Sequence, residues 1–344
     1  MTFPTSSPGP DGRAEPFPFL IAEIGSVHDG SYGNAVKLIE TAARCGADAV
    51  KFQTHIAEAE TLTDAPAPAY FTGEPRFAYF KRTAFSREQW AGLKAACASA
   101  GVTFLSSPFS IEAVDLLEAI GAGAYKIPSG EVTNLPLLER VAATGKPALL
   151  SSGMSSWAEL DAAVAVLRRG GPLMVMQCSS AYPCPPERVG LNVIGEMRIR
   201  YGVPVGFSDH STGPAAALAA VALGARTVEK HLTFSRLMYG SDAANAMEPA
   251  DFAALARQLD EVRRMLAHPV DKDDLEPYGE MKRVFEKSIV ASRPLAAGAV
   301  LAAGDLAFKK PGDGIPVSEH RAVIGRRLRR AVPRDHKFSE ADFA

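Results

Sequence analysis

Tyr125-Lys126-Ile127-Pro128-Ser129-Gly130-Glu131 decides how the chain is read. An apolar run from Ala122 to Ile127 stops at Pro128, Ser129 and Gly130, the pattern of a strand ending in a turn. Lys126 lies inside that strand, with Glu131 just beyond it. An unpaired buried ammonium costs several kcal/mol or more, so Lys126 must face an anionic ligand or a carboxylate. The local residues leave both open.

Outward from this stretch, short apolar runs alternate with longer amphipathic ones. Strands are expected at Phe19–Ile24, Ala47–Phe52, Val102–Leu105, Ala124–Ile127, Ala148–Leu150, Leu173–Cys178, Pro204–Phe207 and Thr227–Lys230. Helices are expected between and after them, the first over Asn34–Cys45 and the last over Pro249–Leu266. Ser86 with Gln89 has the spacing of a capping box. A polar, Pro- and aromatic-rich insertion runs from about Glu58 to Thr83. Eight strand-then-helix units in a row predict a (β/α)₈ TIM barrel over residues 17–270. A doubly wound sheet is the alternative, but no Gly-x-Gly-x-x-Gly follows the first strand.

Residues 1–16 read as a flexible tail and 271–284 as a charged linker. From 285 to 344 short strands broken by Gly, Pro and Asp predict a small β-rich domain, with strands at Ser288–Ala291, Gly298–Leu301, Leu306–Phe308 and Arg326–Ala331. A net charge of −2 provides no global field for nucleic acid or an anionic membrane. The Arg326–Arg330 run reads as a solvated strand. No apolar run approaches the ~20 residues of a membrane span. The four cysteines lack zinc spacing, and a reducing cytoplasm is expected.

Barrel chemistry collects where strands end. The strand ends here supply Glu23, Gly25 and His28; Lys51 and Gln53, on one side of their strand; Ser106 and Ser107; Lys126, Ser129 and Glu131; and Ser151 and Ser152. The last three supply Cys178, Ser179, Ser180 and Tyr182; Ser208, Asp209 and His210; and Glu229, Lys230 and His231. The lysines and hydroxyls suit a phosphate and a carboxylate. The carboxylates and imidazoles suit a divalent metal and proton transfer. Glu229 could instead pair with Lys230. His55, His268, His320 and His336 are expected to be solvated, and Cys178, with no evident base nearby, to line the core. Trp90, Trp157, Met174 and Met176 are expected to be packing residues.

These motifs resemble the sialic acid (N-acetylneuraminate) synthase family. The resemblance rests on Ala22–Gly25, Lys51–Gln53, Ser106–Phe109, Tyr125–Glu131, Leu150–Met154, Gly206–Ser211 and Glu229–His231. The C-terminal part resembles the family's antifreeze-like (SAF, β-clip) domain, including Lys309–Gly314. The resemblance implies an enzyme condensing phosphoenolpyruvate with an amino sugar. Phosphoenolpyruvate would lie on Lys51, Ser107, Lys126, Ser129, Ser151, Ser180 and Ser208, and the sugar near Gln53, Tyr182 and Lys310. His210 and His231 would hold Mn²⁺, or Mg²⁺ or Co²⁺. Glu23, Glu131 and Lys126 would serve catalysis, with Glu131 taking the water proton. It also implies a homodimer in which the SAF domain covers the partner barrel. Ser26-Val27-His28-Asp29-Gly30, Ser180 and Lys310 depart from the family pattern, in places where the resemblance implies contact with substrate. N-acetylmannosamine, a di-N-acetylated 6-deoxy sugar and a sugar phosphate all stay open as acceptors. So do a Kdo 8-phosphate or DAHP synthase-like activity and a non-catalytic sugar-binding role.

Overall fold

A computed structural model describes residues 18–66 and 73–344; the expected N-terminal tail lies outside them. The chain divides into two compact units, Met1–His268 and Pro269–Ala344.

In the first unit eight parallel strands close into a barrel in chain order. They are β1 (Phe19–Gly25), β2 (Ala49–Thr54), β3 (Thr103–Pro108), β4 (Tyr125–Ile127), β5 (Ala148–Ser151), β6 (Leu173–Cys178), β7 (Val205–Asp209) and β8 (Thr227–His231). The TIM barrel expected from the alternating pattern is therefore the fold, and the doubly wound sheet is not. The helices start where their caps specify. Ser86 makes a capping box with Gln89, and Ser156 makes another with Glu159. Gly101, at φ +76°, ends the helix that Ser86 opens.

The strands' period of two sorts their side chains onto two faces. Outward residues such as Leu20, Val50, Phe104, Tyr125 and Val175 pack beneath the helices. Inward residues form a separate apolar cluster: Phe19, Ile21, Ala49, Leu105, Ala124, Leu149, Met174 and Met176. Six of the strands then change character two residues later. Ile21 is followed by Glu23, Ala49 by Lys51, Leu105 by Ser107, Ala124 by Lys126, Leu149 by Ser151 and Met176 by Cys178. An apolar plug thus underlies a polar floor. Gly206 makes room for it, since a Cβ there would lie 3.0 Å from Met176 Cγ and 3.1 Å from Met174 Sδ. We expect Gly206→Ala to lower stability by roughly 1–3 kcal/mol through overpacking, read from thermal unfolding.

The connection after β2 contains α1 (Ala57–Glu60) and α2 (Arg76–Thr83), where the sequence suggested only a polar insertion. Tyr79 of α2 is buried, and its apolar surface ties the connection to the barrel rim.

The second unit pairs β9 (Ser288–Ala291) with β10 (Leu306–Lys309), antiparallel, Leu306 opposite Ala291. Ile289, Leu295, Leu328, Val332, Phe338 and Phe343 fill its core. The strands expected at Gly298–Leu301 and Arg326–Ala331 shrink to isolated bridges at Val300–Arg327 and Leu328–Phe343. Gly298, at φ +81°, turns the chain before a ladder can form. The expected linker holds a helix, α3 (Gly279–Phe285). The arginine run is bound within the unit: Arg326 pairs with Glu340, Arg330 with Asp342, and Arg327 donates to the Gly298 carbonyl. Among the described residues no helix is long and apolar enough to cross a membrane.

Candidate active site

The polar floor opens into a cavity of about 470 Å³. Parallel register sets Glu23 of β1 beside Lys51 of β2 and His231 of β8, and Ser208 of β7 beside Glu229 of β8. Lys51 Nζ lies 2.8 Å from Glu23 Oε2 and donates to Ser107 Oγ at 3.2 Å. Lys126 Nζ donates to Ser151 Oγ at 2.7 Å and to Glu229 Oε1 at 3.2 Å. Glu229 Oε1 also accepts from Ser208 Oγ at 3.2 Å and stands 3.7 Å from Lys51. Two ammonium groups thus share one carboxylate, all but sealed from water. Burial alone would raise the Glu229 carboxyl, but Lys126 and Lys51 outweigh it and bring it down to about 2. Burial works against the Lys51 ammonium, yet Glu229 and Glu23 hold it above its ordinary value. Burial and the Lys51 charge push the Lys126 ammonium down, against the pull of Glu229.

Above the lysines, Gly153 N donates to Ser129 Oγ at 3.0 Å. A Cβ at Gly153 would fall 2.2 Å from Ser180 Oγ and 2.6 Å from Ser129 Oγ, so only glycine leaves these hydroxyls together. On the opposite wall the His210 and His231 ring centroids are 5.5 Å apart, and Tyr182 packs 4.2 Å from His210. His210 Nδ1 donates to the Ser179 carbonyl at 2.9 Å, so in the neutral ring the lone pair lies on Nε2. His231 Nδ1 is buried with no hydrogen-bond partner among the described residues. Two imidazoles with unused nitrogens fit one divalent ion. Among the described residues no group of three or more His, Cys, Asp or Glu clusters as a metal site, so further positions would fall to water and substrate.

Of the residues expected from the strand ends, Glu23, Lys51, Gln53, Lys126, Ser129, Ser151, Ser180, Tyr182, Ser208, His210 and His231 line this one cavity. Ser107 lies beneath it, holding Lys51. Glu131 is not among the lining residues: its Oε2 accepts from Asn134 Nδ2 at 2.7 Å, and burial pushes the carboxyl up. Lys310 belongs to the second unit, with Nζ 4.9 Å from the Phe285 ring centroid. His28 is buried against Phe85, its Nδ1 accepting from Gly30 N, and burial lowers it to about 4.

Three readings are corrected. Glu229 does not pair with Lys230; strand alternation turns Lys230 outward, where it meets Asp209 Oδ2 at 2.7 Å. Cys178 faces the cavity, with Sγ 3.8 Å from His210 Nδ1; burial raises its thiol, but His210 and Lys126 bring it down to about 7. His55 is buried between Phe80 and Phe109, at centroid distances of 3.7 and 4.1 Å. Asp242 and Arg76, which the sequence did not single out, also line the cavity. Gly25, at φ +53°, admits Asp242, whose Oδ2 would lie 2.3 Å from a Cβ there.

The NeuB family matches residues 38–271, and the SAF domain matches residues 286–344. The N,N'-diacetyllegionaminic acid synthase of Campylobacter jejuni is 33% identical, over 89% of this chain and 94% of that protein. The human N-acetylneuraminate-9-phosphate synthase is 32% identical, over 94% of this chain and 91% of its own. The crystal structure of the N-acetylneuraminic acid (sialic acid) synthetase of Leptospira borgpetersenii, in complex with citrate, superposes with a TM-score of 0.69. It is 31% identical and covers 78% of this chain and 92% of its own. A barrel whose floor carries these motifs, followed by a SAF domain, is therefore a member of the NeuB family.

Proposed function

We propose that this chain condenses phosphoenolpyruvate with an open-chain N-acylated amino sugar to give a nonulosonic acid and phosphate. The observation that carries the reading is the pair of buried lysines, Lys51 and Lys126, set with serine hydroxyls at the floor of a cavity whose other wall bears the imidazoles of His210 and His231, the Nδ1 of His231 without a hydrogen-bond partner among the described residues. The relatives named above support the reaction class, since two are named as synthases of legionaminic acid and of a sialic acid phosphate.

Each group has a task in this reading. Lys51, Lys126 and the hydroxyls of Ser129, Ser151 and Ser208 bind the phosphate and carboxylate of the donor. His210 and His231 would hold a divalent ion, which would supply Lewis-acid polarisation of the sugar aldehyde. The bond forms between C3 of phosphoenolpyruvate and the aldehyde carbon as the C2=C3 pair moves into it and the carbonyl pair moves onto the aldehyde oxygen, leaving positive character at C2. Glu23, held between Lys51 and Gln53, faces that charge and takes a proton from the water that adds at C2. Glu23 passes its proton to the sugar alkoxide, the new C2 hydroxyl gives its proton to the phosphate as the C2–O bond to it breaks, and phosphate leaves a C2 ketone.

The test is phosphate release from phosphoenolpyruvate with Mn²⁺ against N-acetylmannosamine, its 6-phosphate, a 2,4-diacetamido-2,4,6-trideoxy hexose and arabinose 5-phosphate. Release with an amino sugar, lost on chelation and restored by the metal, is the expected result. Release with arabinose 5-phosphate alone would overturn the acceptor class. Failure of calorimetry to detect phosphoenolpyruvate binding would overturn the donor.

A further inference from the structure

Both nitrogens of the His55 ring face oxygen atoms. Nδ1 lies 2.7 Å from Glu60 Oε1, and Nε2 lies 3.1 Å from Gln53 Oε1. The Gln53 amide cannot turn round without cost, because its Nε2 donates to Glu23 Oε1 at 2.7 Å. A carboxylate requires a donor there, so the carbonyl end must face His55. With Glu60 ionised, the pattern calls for hydrogen on both ring nitrogens, and Glu60 is the counter-charge. The surroundings agree. The Glu60 side chain is 4% exposed, and its second oxygen accepts from Ile56 N at 3.3 Å. Phe80 and Phe109 stack on the two faces of the imidazole, a setting that favours a cationic ring. The line continues to the floor, where Glu23 Oε2 meets Lys51 Nζ at 2.8 Å.

We propose that Glu60 and His55 form a charged couple that fixes the Gln53 amide and, through it, the orientation of the Glu23 carboxylate at the reacting end of the cavity. Glu60 and His55 are positioning residues in this scheme. Glu60 sits on α1, in the connection after β2, so a residue outside the barrel strands governs a carboxylate on β1. A neutral ring would present either one hydrogen or a lone pair to Gln53. With a lone pair at Nε2 the amide would turn its NH₂ toward His55 and its carbonyl toward Glu23, where two acceptors repel.

Two arms test the proposal on the full-length protein. The spectroscopic arm is independent of the proposed function. Nitrogen-15 NMR of histidine-labelled protein, with His55 identified by its loss in His55→Asn, should show both ring nitrogens protonated. In Glu60→Gln, which keeps an acceptor but removes the charge, one of them should lose its hydrogen. An unprotonated ring nitrogen in the unaltered protein overturns the couple. The kinetic arm rests on the function proposed above. Glu60→Gln should lower kcat about tenfold and leave KM for phosphoenolpyruvate within about twofold, because the lysine and serine contacts are untouched. Glu60→Asp should recover part of the loss. In a Gln53→Met background, Glu60→Gln should have no further effect. An equal loss in both backgrounds would show that Glu60 acts by general structure and not through Gln53. If no sugar is turned over, the functional reading fails, and the NMR result still decides the couple.

Discussion

Lys126→Met is expected to abolish turnover while leaving the fold intact. The Lys126 ammonium is buried and donates to Ser151 and Glu229 at the bottom of the cavity. Methionine matches the length of the lysine stem and packs against the apolar layer below, but it carries no charge. Glu229 keeps Ser208 as a donor and Lys51 at 3.7 Å, so no carboxylate is stranded. The donor phosphate and carboxylate lose a charge-assisted contact in a water-poor site, where such contacts stabilise the transition state most. Loss of one such group typically costs about 10²–10³ in kcat, and the weakened donor binding adds to it in kcat/KM. Steady-state phosphate release, with circular dichroism as the control for folding, checks this. Turnover equal to that of the unaltered protein would remove Lys126 from the mechanism.

Glu229→Gln is expected to have the largest effect on stability. One carboxylate neutralises two buried ammonium groups, and the amide keeps its shape but not its charge. Removing one partner of a buried ion pair costs about 3–5 kcal/mol, with Glu23 left as the nearest counter-charge to Lys51. The pH dependence has a definite sign. The folded carboxyl titrates at about 2 against an ordinary 4.5, so its contribution is present above 4.5 and is lost as pH falls toward 2. Urea midpoints of the unaltered protein should drop between pH 5 and pH 3, and those of Glu229→Gln should drop less. Parallel curves for the two proteins would show that Glu229 does not carry the acid sensitivity.

What the sequence could tell depended on the range of the signal. Alternation within a strand put Lys51 and Gln53 on one face, and both line the cavity. The same rule separates Glu229 and Lys230 onto opposite faces, where they meet Lys126 and Asp209 respectively. His55 shows the opposite case. Its neighbours in the chain suggest a solvated loop, but its ring is enclosed by Phe80 and Phe109, side chains that reach it only through tertiary packing. Asp242 approaches through the space left by Gly25, and no local pattern marks a contact between residues so far apart in the chain. Glu131 carries a motif position, but its orientation is set by the Asn134 amide that opens the next helix.

The plug beneath the floor also bears on the chain's chemical durability. Met174 and Met176 are wholly inaccessible, whereas Met154 and Met265 are 74% and 70% exposed. Oxidants would convert the exposed thioethers to sulfoxides first. The two sulfurs on which the barrel interior depends would react only when the strands part, so oxidative damage there follows unfolding and does not cause it.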